Sequence, residues 1–348
     1  MDRRALLRGG LLASGLLLGA PLLAACGEGK KTGPARAGMF GAGSVRLSWI
    51  KNVQFAGSYV ADADGYYKAE GFSGFELISG GPTATPVETD LVVGKALFGI
   101  SAPDLVASAV TKGGAGVKII GAQYQKNPFA ILSMADNPIK TAKDMIGKKI
   151  GVGASGESVW AAFLKANDID PKSITKVPVQ FDPIPLTTGT VDGWMGYITN
   201  EPNILRLKGF KVETFLFADQ NYPLIGEVYV VSDKTVKEHR DAVKAFLRAE
   251  IKGWKQVLAD PALGARLAVE TYGKGLGLTV EEQTLESKEQ STLMLTEDTQ
   301  KNGLFTITPE LIAENIRTLT FAGIDITAAQ LFDLSILAEV YRENPSLI

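Results

Sequence analysis

The sequence predicts an α/β fold with two lobes and mostly parallel sheets. From Val45 onward, short apolar runs alternate with amphipathic runs, which is typical of strands that alternate with helices. One such set ends near Gln125, and a second begins at Pro128. Even without residues 1–25, the 348-residue chain exceeds the roughly 250 to 300 residues at which a single core stops growing, so two lobes are expected.

The first set alternates between strand and helix. We expect strands in VRLSWI, GFELISG, ALFGIS and GVKIIGAQYQ. We expect helices in GSYVADADGYYKAEG, TATPVETDLVVG and APDLVASAVTKG. Gly71 is expected to end the first of these helices, because glycine readily adopts the left-handed backbone of a helix end.

The second set contains more strands, and a helical region follows it. We expect strands in PFAILSM, KKIGVG, ITKVPVQF, TVDGWMGY, KVETFLFA and EVYVVS, and helices in ESVWAAFLKAND and NEPNILRLKG. From Asp233 the chain is predicted to be mainly helical, with one long amphipathic helix and two further helical stretches. Residues 45–125 plus 231–348 are therefore assigned to lobe 1, and residues 126–230 to lobe 2.

Residues 1–25 predict an export signal. Three arginines precede an uncharged stretch, residues 9–25, which is shorter than the about 20 apolar residues that a membrane span needs. Leu23–Cys26 (LAAC) resembles the lipobox of bacterial lipoprotein signals, which implies a lipid on Cys26 and attachment to the cell membrane outside the cytoplasm. The paired arginines also resemble a twin-arginine signal, and the choice between that route and general export stays open. Residues 26–44 indicate a flexible tether.

Composition argues against several classes of function. Cys26 is the only cysteine, so a disulfide or a thiolate metal site is not expected. The formal net charge is −2 and no basic tract stands out, which disfavours nucleic acid as a partner. His239 is the only histidine, so a site with several histidine ligands to a metal is excluded. Because His239 is expected on the solvated face of the helix KTVKEHRDAV, a Ser-His-Asp set is not expected either. We interpret Asp192 and Glu201 as caps of a turn and a helix, and predict a protein that is not an enzyme and needs no metal or cofactor.

Residues 151–156, GVGASG, match the pattern G-x-G-x-x-G between a strand and a helix. A dinucleotide site is one interpretation. Two observations argue against a dinucleotide site: the motif follows a completed α/β set, and the chain is predicted to be exported. Two alternatives stay open: N–H groups of the following helix, with Ser155, face a polar ligand, or the segment is a tight glycine turn without a ligand.

Three motifs carry a resemblance to a known family. WIKNVQFAGSYVADADGYYKAEGF (Trp49–Phe72), NPIKTAKDMIGKKIGV (Asn137–Val152) and TTGTVDGWMGYITNEP (Thr187–Pro202) occur in the order found in one family of periplasmic proteins. They resemble substrate-binding proteins of ABC importers related to the thiamine-pyrimidine family. The resemblance implies the type II periplasmic-binding-protein fold, a ligand cleft between two lobes, and permease and ATPase subunits on separate chains. We expect a monomer.

The residues at the expected strand ends suit a neutral heterocycle, because aromatic rings stack on its faces and amides bond its polar edge. NVQFAG, Asn52–Gly57, resembles the branch of the family that binds riboflavin, whereas the pyrimidine branch typically has a histidine after the asparagine. We therefore expect riboflavin as a transported ligand. The alternatives are a thiamine-precursor pyrimidine (hydroxymethyl- or formylaminopyrimidine) and, less favoured, another small aromatic or sulfonate-type solute. Trp254 is expected only to pack.

The candidate ligand-binding residues are Trp49, Asn52, Gln54, Phe55, Tyr59, Ser101, Tyr124, Gln125, Ser155, Trp160, Trp194, Tyr197, Asn200, Glu201 and Tyr229.

Overall fold

Two five-stranded sheets organise the computed structural model, which describes residues 38–348. The first sheet consists of β1 (Ala42–Arg46), β2 (Gly74–Ile78), β3 (Phe98–Ser101), β4 (Val117–Tyr124) and β10 (Gly226–Ser232). Their order is β2-β1-β3-β10-β4. Strand β1 pairs in parallel with β2 and β3, whereas β10 runs antiparallel to β3 and β4.

The second sheet repeats this arrangement. Its strands are β5 (Phe129–Met134), β6 (Lys149–Gly153), β7 (Thr175–Val179), β8 (Gly193–Tyr197) and β9 (Val212–Leu216). Their order is β7-β6-β8-β5-β9, with β6 parallel to β7 and β8, and with β5 antiparallel to β8 and β9. The α/β class and the two lobes are confirmed.

The prediction of mostly parallel sheets is confirmed, because four of the five strands in each sheet run in the same direction. The reversed strand is β10 in the first sheet and β5 in the second. Strands β5 and β10 each enter a lobe at the edge where its parallel strands end. A strand that enters at that edge must run against them. The alternation of strands and helices in the sequence does not reveal this reversal.

The chain crosses between the lobes at residues 125–128 and 217–225. The amide of Asn127 joins the two crossings by donating to the carbonyl oxygens of Tyr222 and Leu224, at 3.1 and 3.3 Å. The return was predicted near Val231, but β10 pairs with the first sheet from Gly226 onward. Residues 226–230 therefore belong to the sheet of lobe 1. The sequence could not predict this, because the apolar pattern of a strand does not indicate which sheet the strand joins.

The helices cover the faces of both sheets. They are α1 (Ala56–Ala63), α2 (Tyr66–Glu70), α3 (Val87–Val92), α4 (Pro103–Gly113), α5 (Glu157–Ala166), α6 (Ile184–Thr187), α7 (Glu201–Leu207), α8 (Asp233–Ala259), α9 (Pro261–Leu267), α10 (Val280–Met294), α11 (Glu297–Asn302), α12 (Pro309–Phe321), α13 (Ala328–Leu331) and α14 (Ser335–Glu343). A left-handed residue, Gly65, splits the first predicted helix in two. Gly71, at φ 115°, ends α2 as predicted. The long helix α8 is interrupted at His239, whose φ is −137° and ψ 35°.

Aromatic stacking and close helix packing hold the core of lobe 1. The rings of Phe98 and Phe246 lie 4.1 Å apart and nearly parallel. Helix α8 approaches α1 so closely that a Cβ on Gly57 would lie 2.2 Å from the indole of Trp254. Interiors at such density do not tolerate an added methyl group without strain, so this contact requires glycine.

Several predictions lie outside the described residues: the export signal, the lipid on Cys26 and the first part of the tether predicted for 26–44. The last part of that tether is wrong, because β1 already begins at Ala42. Within residues 38–348, none of the helices is both long enough and apolar enough to cross a bilayer.

Candidate functional site

The carboxyl ends of the parallel strands lie at the edge of each sheet where the chain crosses between lobes. Open α/β sheets bind ligands outside such ends. Trp49 follows β1, Ser101 ends β3, Gln125 follows β4 and Tyr197 ends β8. We call the region between the two lobes at this edge the cleft.

An aromatic pair joins the two lobes at the cleft. Trp49 of lobe 1 and Phe181, which follows β7 in lobe 2, meet edge-to-face with ring centroids 5.4 Å apart and an interplanar angle of 63°. Trp49 is partly buried, whereas the Phe181 side chain is 53% exposed. Such aromatic pairs offer flat apolar surfaces that a planar ring can also contact.

The turn after Trp49 is held by Asn52, a predicted site residue that is buried. Its Oδ1 accepts from the Gln54 N–H at 3.2 Å, and its Nδ2 donates to Glu286 Oε1 at 3.1 Å. The hydroxyl of Tyr59 donates to the Asn52 carbonyl oxygen at 2.8 Å. Asn52 therefore links the end of β1 to helix α10.

Glu286 is buried on α10 beside this turn. Besides the bond from Asn52, its Oε2 accepts from Gln283 Nε2 at 2.9 Å. Burial raises the pKa of Glu286 to about 8, the Gln283 bond opposes this shift, and the carboxylates of Glu282 and Glu201 add to it. Helix α7 of lobe 2, which begins at Glu201, contacts α10 of lobe 1, which carries Glu286.

Glu227 is a second buried carboxyl group, near the start of β10. Its Oε2 accepts from the Ser48 hydroxyl at 2.8 Å. Burial raises the pKa of Glu227 to about 7, although hydrogen bonds from Ser48 and Gln54 lower it. Its φ of 45° lies in the left-handed region, which residues other than glycine rarely occupy and which is often found at functional sites.

Lobe 2 contributes Tyr197 and Glu201. Glu201 Oε2 accepts from the Tyr197 N–H at 2.8 Å, and burial raises the pKa of Glu201 to about 7. The pKa of the Tyr197 hydroxyl is raised by burial and then by Glu227, Asp104 and Glu201. Since Glu227 and Asp104 belong to lobe 1, Tyr197 lies close to both lobes.

These carboxyl groups share one property: among the described residues, none of Glu201, Glu227 and Glu286 forms an ion pair with lysine or arginine. Ionised, they can only accept hydrogen bonds; protonated, each can also donate one. The cleft therefore offers acceptors at higher pH and mixed donors and acceptors near neutrality.

Other predicted residues border the cleft but bond within lobe 1. Ser101 donates to Glu88, and the hydroxyl of Tyr124 donates to Gln290 Oε1 at 2.7 Å. Gln125 donates its backbone N–H to Leu293 O at 2.8 Å and its amide to Ala122 O at 3.2 Å. These side chains support the strand ends.

A further group of predicted residues is buried in the interior of one lobe, and we do not carry them into the proposed site: Phe55, Tyr59, Trp160, Trp194 and Tyr229. Tyr59 stacks on Tyr272 with ring centroids 4.4 Å apart. The Tyr229 hydroxyl donates to Glu250 Oε2 at 2.8 Å and accepts from Trp254 Nε1 at 3.1 Å. Both partners of Tyr229 are buried on α8, inside lobe 1.

The glycine motif, residues 151–156, spans the end of β6 and the turn after it, and close packing explains two of its glycines. A Cβ on Gly151 would lie 3.0 Å from the Trp194 ring, and one on Gly156 would lie 3.0 Å from the Met195 side chain. Ser155 is exposed, and Asn200 is partly buried at the start of α7. The structure therefore favours the glycine-turn interpretation for Gly151 and Gly156, while contact between Ser155 and a ligand stays a prediction.

Sequence reasoning missed Phe181, Glu227 and Glu286. Glu227 is a charged residue that opens the apolar run EVYVVS, and this contrast was a usable signal. Glu286 lies in a helix rich in polar residues, where one buried carboxylate does not stand out. Among residues 38–348, no group of three or more histidine, cysteine, aspartate or glutamate side chains is placed to hold a metal ion.

A model of the family described as NMT1/THI5 like matches residues 52–263. The match begins at Asn52 and ends inside α9, so it includes both crossings, the Asn52 turn, Phe181, Glu201 and Glu227. It therefore covers most of the cleft; Trp49 lies before the matched residues and Glu286 beyond them.

Two relatives and a solved structure show what the chain is similar to. The riboflavin-binding protein RibY of Chloroflexus aurantiacus is 31% identical over 238 residues, 63% of each chain. The formylaminopyrimidine-binding protein of Halalkalibacterium halodurans is 24% identical over 223 residues, 62% of this chain and 66% of that protein. The alignments thus span just under two thirds of either relative. The periplasmic aliphatic sulphonate binding protein SsuA of Escherichia coli superposes with a TM-score of 0.61 at 16% identity, covering 80% of this chain and 85% of that one.

Proposed function

Because the chain belongs to the NMT1/THI5-like family and has the periplasmic-binding-protein fold, we propose that it is the substrate-binding component of an ABC importer and that it captures riboflavin. The 31% identity to a riboflavin-binding protein supports this choice. The observation that carries it is the cleft itself, where the aromatic pair Trp49 and Phe181 lies beside amide and carboxyl groups.

The flavin ring fits this chemistry. Its three fused rings are flat and largely apolar, so they gain from contact with Trp49 and Phe181. One edge carries two carbonyl oxygens and a ring N–H, which need donors and an acceptor respectively. Tyr197 can donate, and Glu227 and Glu286 can accept or, when protonated, donate. Binding of the ring between the lobes would remove both faces from water.

A formylaminopyrimidine is the second candidate, supported by the 24% identity to the protein that is named for binding it. It also carries amino groups that can donate hydrogen bonds to carboxylates. It is smaller than a flavin, so it would leave more of the aromatic pair uncovered. A sulfonate has the weakest support, because an anion needs positive charge or several converging donors, whereas acidic side chains line the described cleft.

Capture would proceed by closure of the two lobes. A ligand that docks on the Asn52 turn in lobe 1 is enclosed when lobe 2 brings Phe181 and Tyr197 against it, with the crossings at 125–128 and 217–225 as hinges. We propose that the closed form is recognised by a permease whose ATPase is a separate chain. We propose no catalytic role.

The N-terminal signal supports a place for this protein outside the cytoplasm. We propose that residues 1–25 are removed during export and that Cys26, carrying lipid, attaches the chain to the cell membrane. Mass spectrometry of the N-terminal peptide from membrane fractions would test this, since a diacylglyceryl-modified Cys26 is expected, and an unmodified Cys26 would contradict it.

Titration of riboflavin fluorescence with the purified protein tests the ligand. Stacking on an indole quenches flavin emission, so we expect saturable 1:1 quenching with a Kd below about 10 µM. The absence of quenching at micromolar concentrations would contradict riboflavin as the ligand. Formylaminopyrimidine, added as a competitor, separates the second candidate: preferential binding of the pyrimidine would favour it.

A further inference from the structure

Glu227 is placed in a way that packing alone does not explain. It is a carboxyl group only 5% exposed in an otherwise apolar strand, and its φ is 45°. Burial of a carboxylate and a left-handed backbone at a residue with a Cβ are both unfavourable. A glycine at this position would avoid both costs.

The surroundings of Glu227 are acidic or neutral. Ser48 donates to it, the Gln54 amide donates to the Ser48 hydroxyl at 3.4 Å, and no lysine or arginine pairs with it among the described residues. The negative charge of Glu227 raises the pKa of three nearby hydroxyls, those of Tyr124, Tyr197 and Tyr229. Each of its two oxygens can accept more than one bond, so acceptor capacity remains.

A second buried acceptor lies next to this group. The amide of Gln123, 1% exposed, donates through Nε2 to the Gln54 carbonyl oxygen at 2.9 Å, but its Oε1 has no partner within the described structure. Buried acceptors without a partner are rare in native proteins and often mark a place where a ligand or water completes the bonding. Gln54 thus bonds to Gln123 directly and is linked to Glu227 through the Ser48 hydroxyl, and both Gln123 and Glu227 retain capacity to accept.

We propose that Glu227 is a specificity-determining residue of the cleft: it accepts a hydrogen bond from an N–H or amino group of the ligand and disfavours ligands that carry a phosphate or sulfonate. This inference rests on the proposed solute-binding function and names the ligand class more narrowly. A neutral, donor-bearing heterocycle would satisfy the free acceptors, whereas an anion would meet an acidic group without a neutralising cation.

Two variants and a matched control test the proposal. Glu227→Gln keeps the shape and removes the charge. Glu227→Gly removes the side chain and relieves the left-handed backbone, so it is expected to fold at least as well as the wild type. Glu250→Gln is the control, because Glu250 is fully buried inside lobe 1 and bonded by Ser58, Tyr67 and Tyr229.

The measurement is a set of Kd values at pH 8 for riboflavin, N3-methylriboflavin and formylaminopyrimidine. In N3-methylriboflavin a methyl group replaces the proton of the ring N–H. We expect the wild type to prefer riboflavin over its N3-methyl derivative, Glu227→Gln to reduce that preference about tenfold, and Glu227→Gly to weaken riboflavin binding about tenfold or more while retaining its Tm. The control should leave the preference unchanged. Unchanged preference and affinity in both Glu227 variants would overturn the proposal and leave the riboflavin function standing.

The two claims fail differently. If the wild type ignores riboflavin but binds formylaminopyrimidine, and Glu227→Gly weakens that binding, the proposed ligand is wrong and the role of Glu227 is supported. If N3-methylriboflavin binds the wild type as tightly as riboflavin, the role of Glu227 is overturned although a flavin-binding function remains.

Discussion

The indole of Trp49 and the phenyl ring of Phe181 meet edge-on across the two lobes, with centroids 5.4 Å apart. The two residues are 132 positions apart and follow strands of different sheets. A contact of this kind exists only when the lobes are close together. The aromatic surface that we propose for ligand binding is therefore complete only when the two lobes are close together.

Trp49→Ala should weaken riboflavin binding about 30-fold, because truncation of a buried aromatic anchor at an interface commonly costs about 2 kcal/mol. Trp254→Ala is the matched control, since Trp254 is fully buried beside Gly57 inside lobe 1. It should lower the free energy of unfolding by about 3 to 5 kcal/mol and change the Kd of the folded protein little. Equal losses of affinity in the two variants would refute these roles. Fluorescence titration and denaturant unfolding supply the two readouts.

Phe181→Ala should reduce affinity without reducing stability. The side chain is 53% exposed, so little apolar area is lost from the unliganded fold. We expect a Kd about five- to tenfold higher, mainly through faster release, since most interface changes act on the dissociation rate. Stopped-flow release of riboflavin measures this. A drop in Tm with unchanged release would mean that Phe181 only packs.

Asn52→Asp should destabilise the protein more at pH 8 than at pH 5. The new carboxyl group would lie where Asn52 Nδ2 now donates to Glu286 at 3.1 Å, and burial already raises the pKa of Glu286 to about 8. At pH 5 the two groups can share a proton, whereas at pH 8 they repel, so we expect a difference of about 1 to 3 kcal/mol in unfolding free energy. Asn302→Asp, at an exposed position, is the control. A loss that does not vary with pH would contradict this explanation.

Glu250 should make the protein less stable as pH rises. Burial raises its pKa to about 7 from 4.5. The folded state thus holds a proton that the unfolded state releases, so the stabilisation is complete below about pH 4.5 and is lost as pH rises through 7. The shift corresponds to about 3 kcal/mol, and Glu250→Gln should remove that part of the slope. Urea unfolding at pH 5 to 8 measures it; an unchanged slope in the variant would contradict the assignment.

The sequence predicted most strands and helices of the two α/β sets and both lobes, but not all of the cleft. After α8 it predicted two helical stretches, where the structure has the six helices α9–α14. Apolar periodicity and Gly71 marked strands and helices because each signal lies within a few residues. The reversed strands β5 and β10 depend on where the chain enters a sheet, which no local pattern records. Similarly, Trp160, Trp194 and Tyr229 share the aromatic character of Trp49, and only the packing of α5, α8 and both sheets separates interior rings from the ring at the cleft.

Asn52 and Glu227 illustrate the same limit for polar residues. Asn52 was accessible to sequence reasoning because its motif follows a predicted strand. The partners of Glu227 are Ser48, 179 residues away, and Gln54, so its burial and free acceptor capacity arise from tertiary contacts. Phe181 ends the predicted strand ITKVPVQF, but the observed strand β7 ends at Val179, and only the tertiary contact with Trp49 identifies Phe181 as a candidate.

Native mass spectrometry of the purified protein in an equimolar mixture of riboflavin, formylaminopyrimidine and an alkanesulfonate tests the central claim most directly. All three compete for one cleft, so the masses of the complexes rank the ligands in one measurement. We predict that the complex with one riboflavin dominates. A dominant complex with the pyrimidine or with the sulfonate would contradict the assignment of this protein to riboflavin capture.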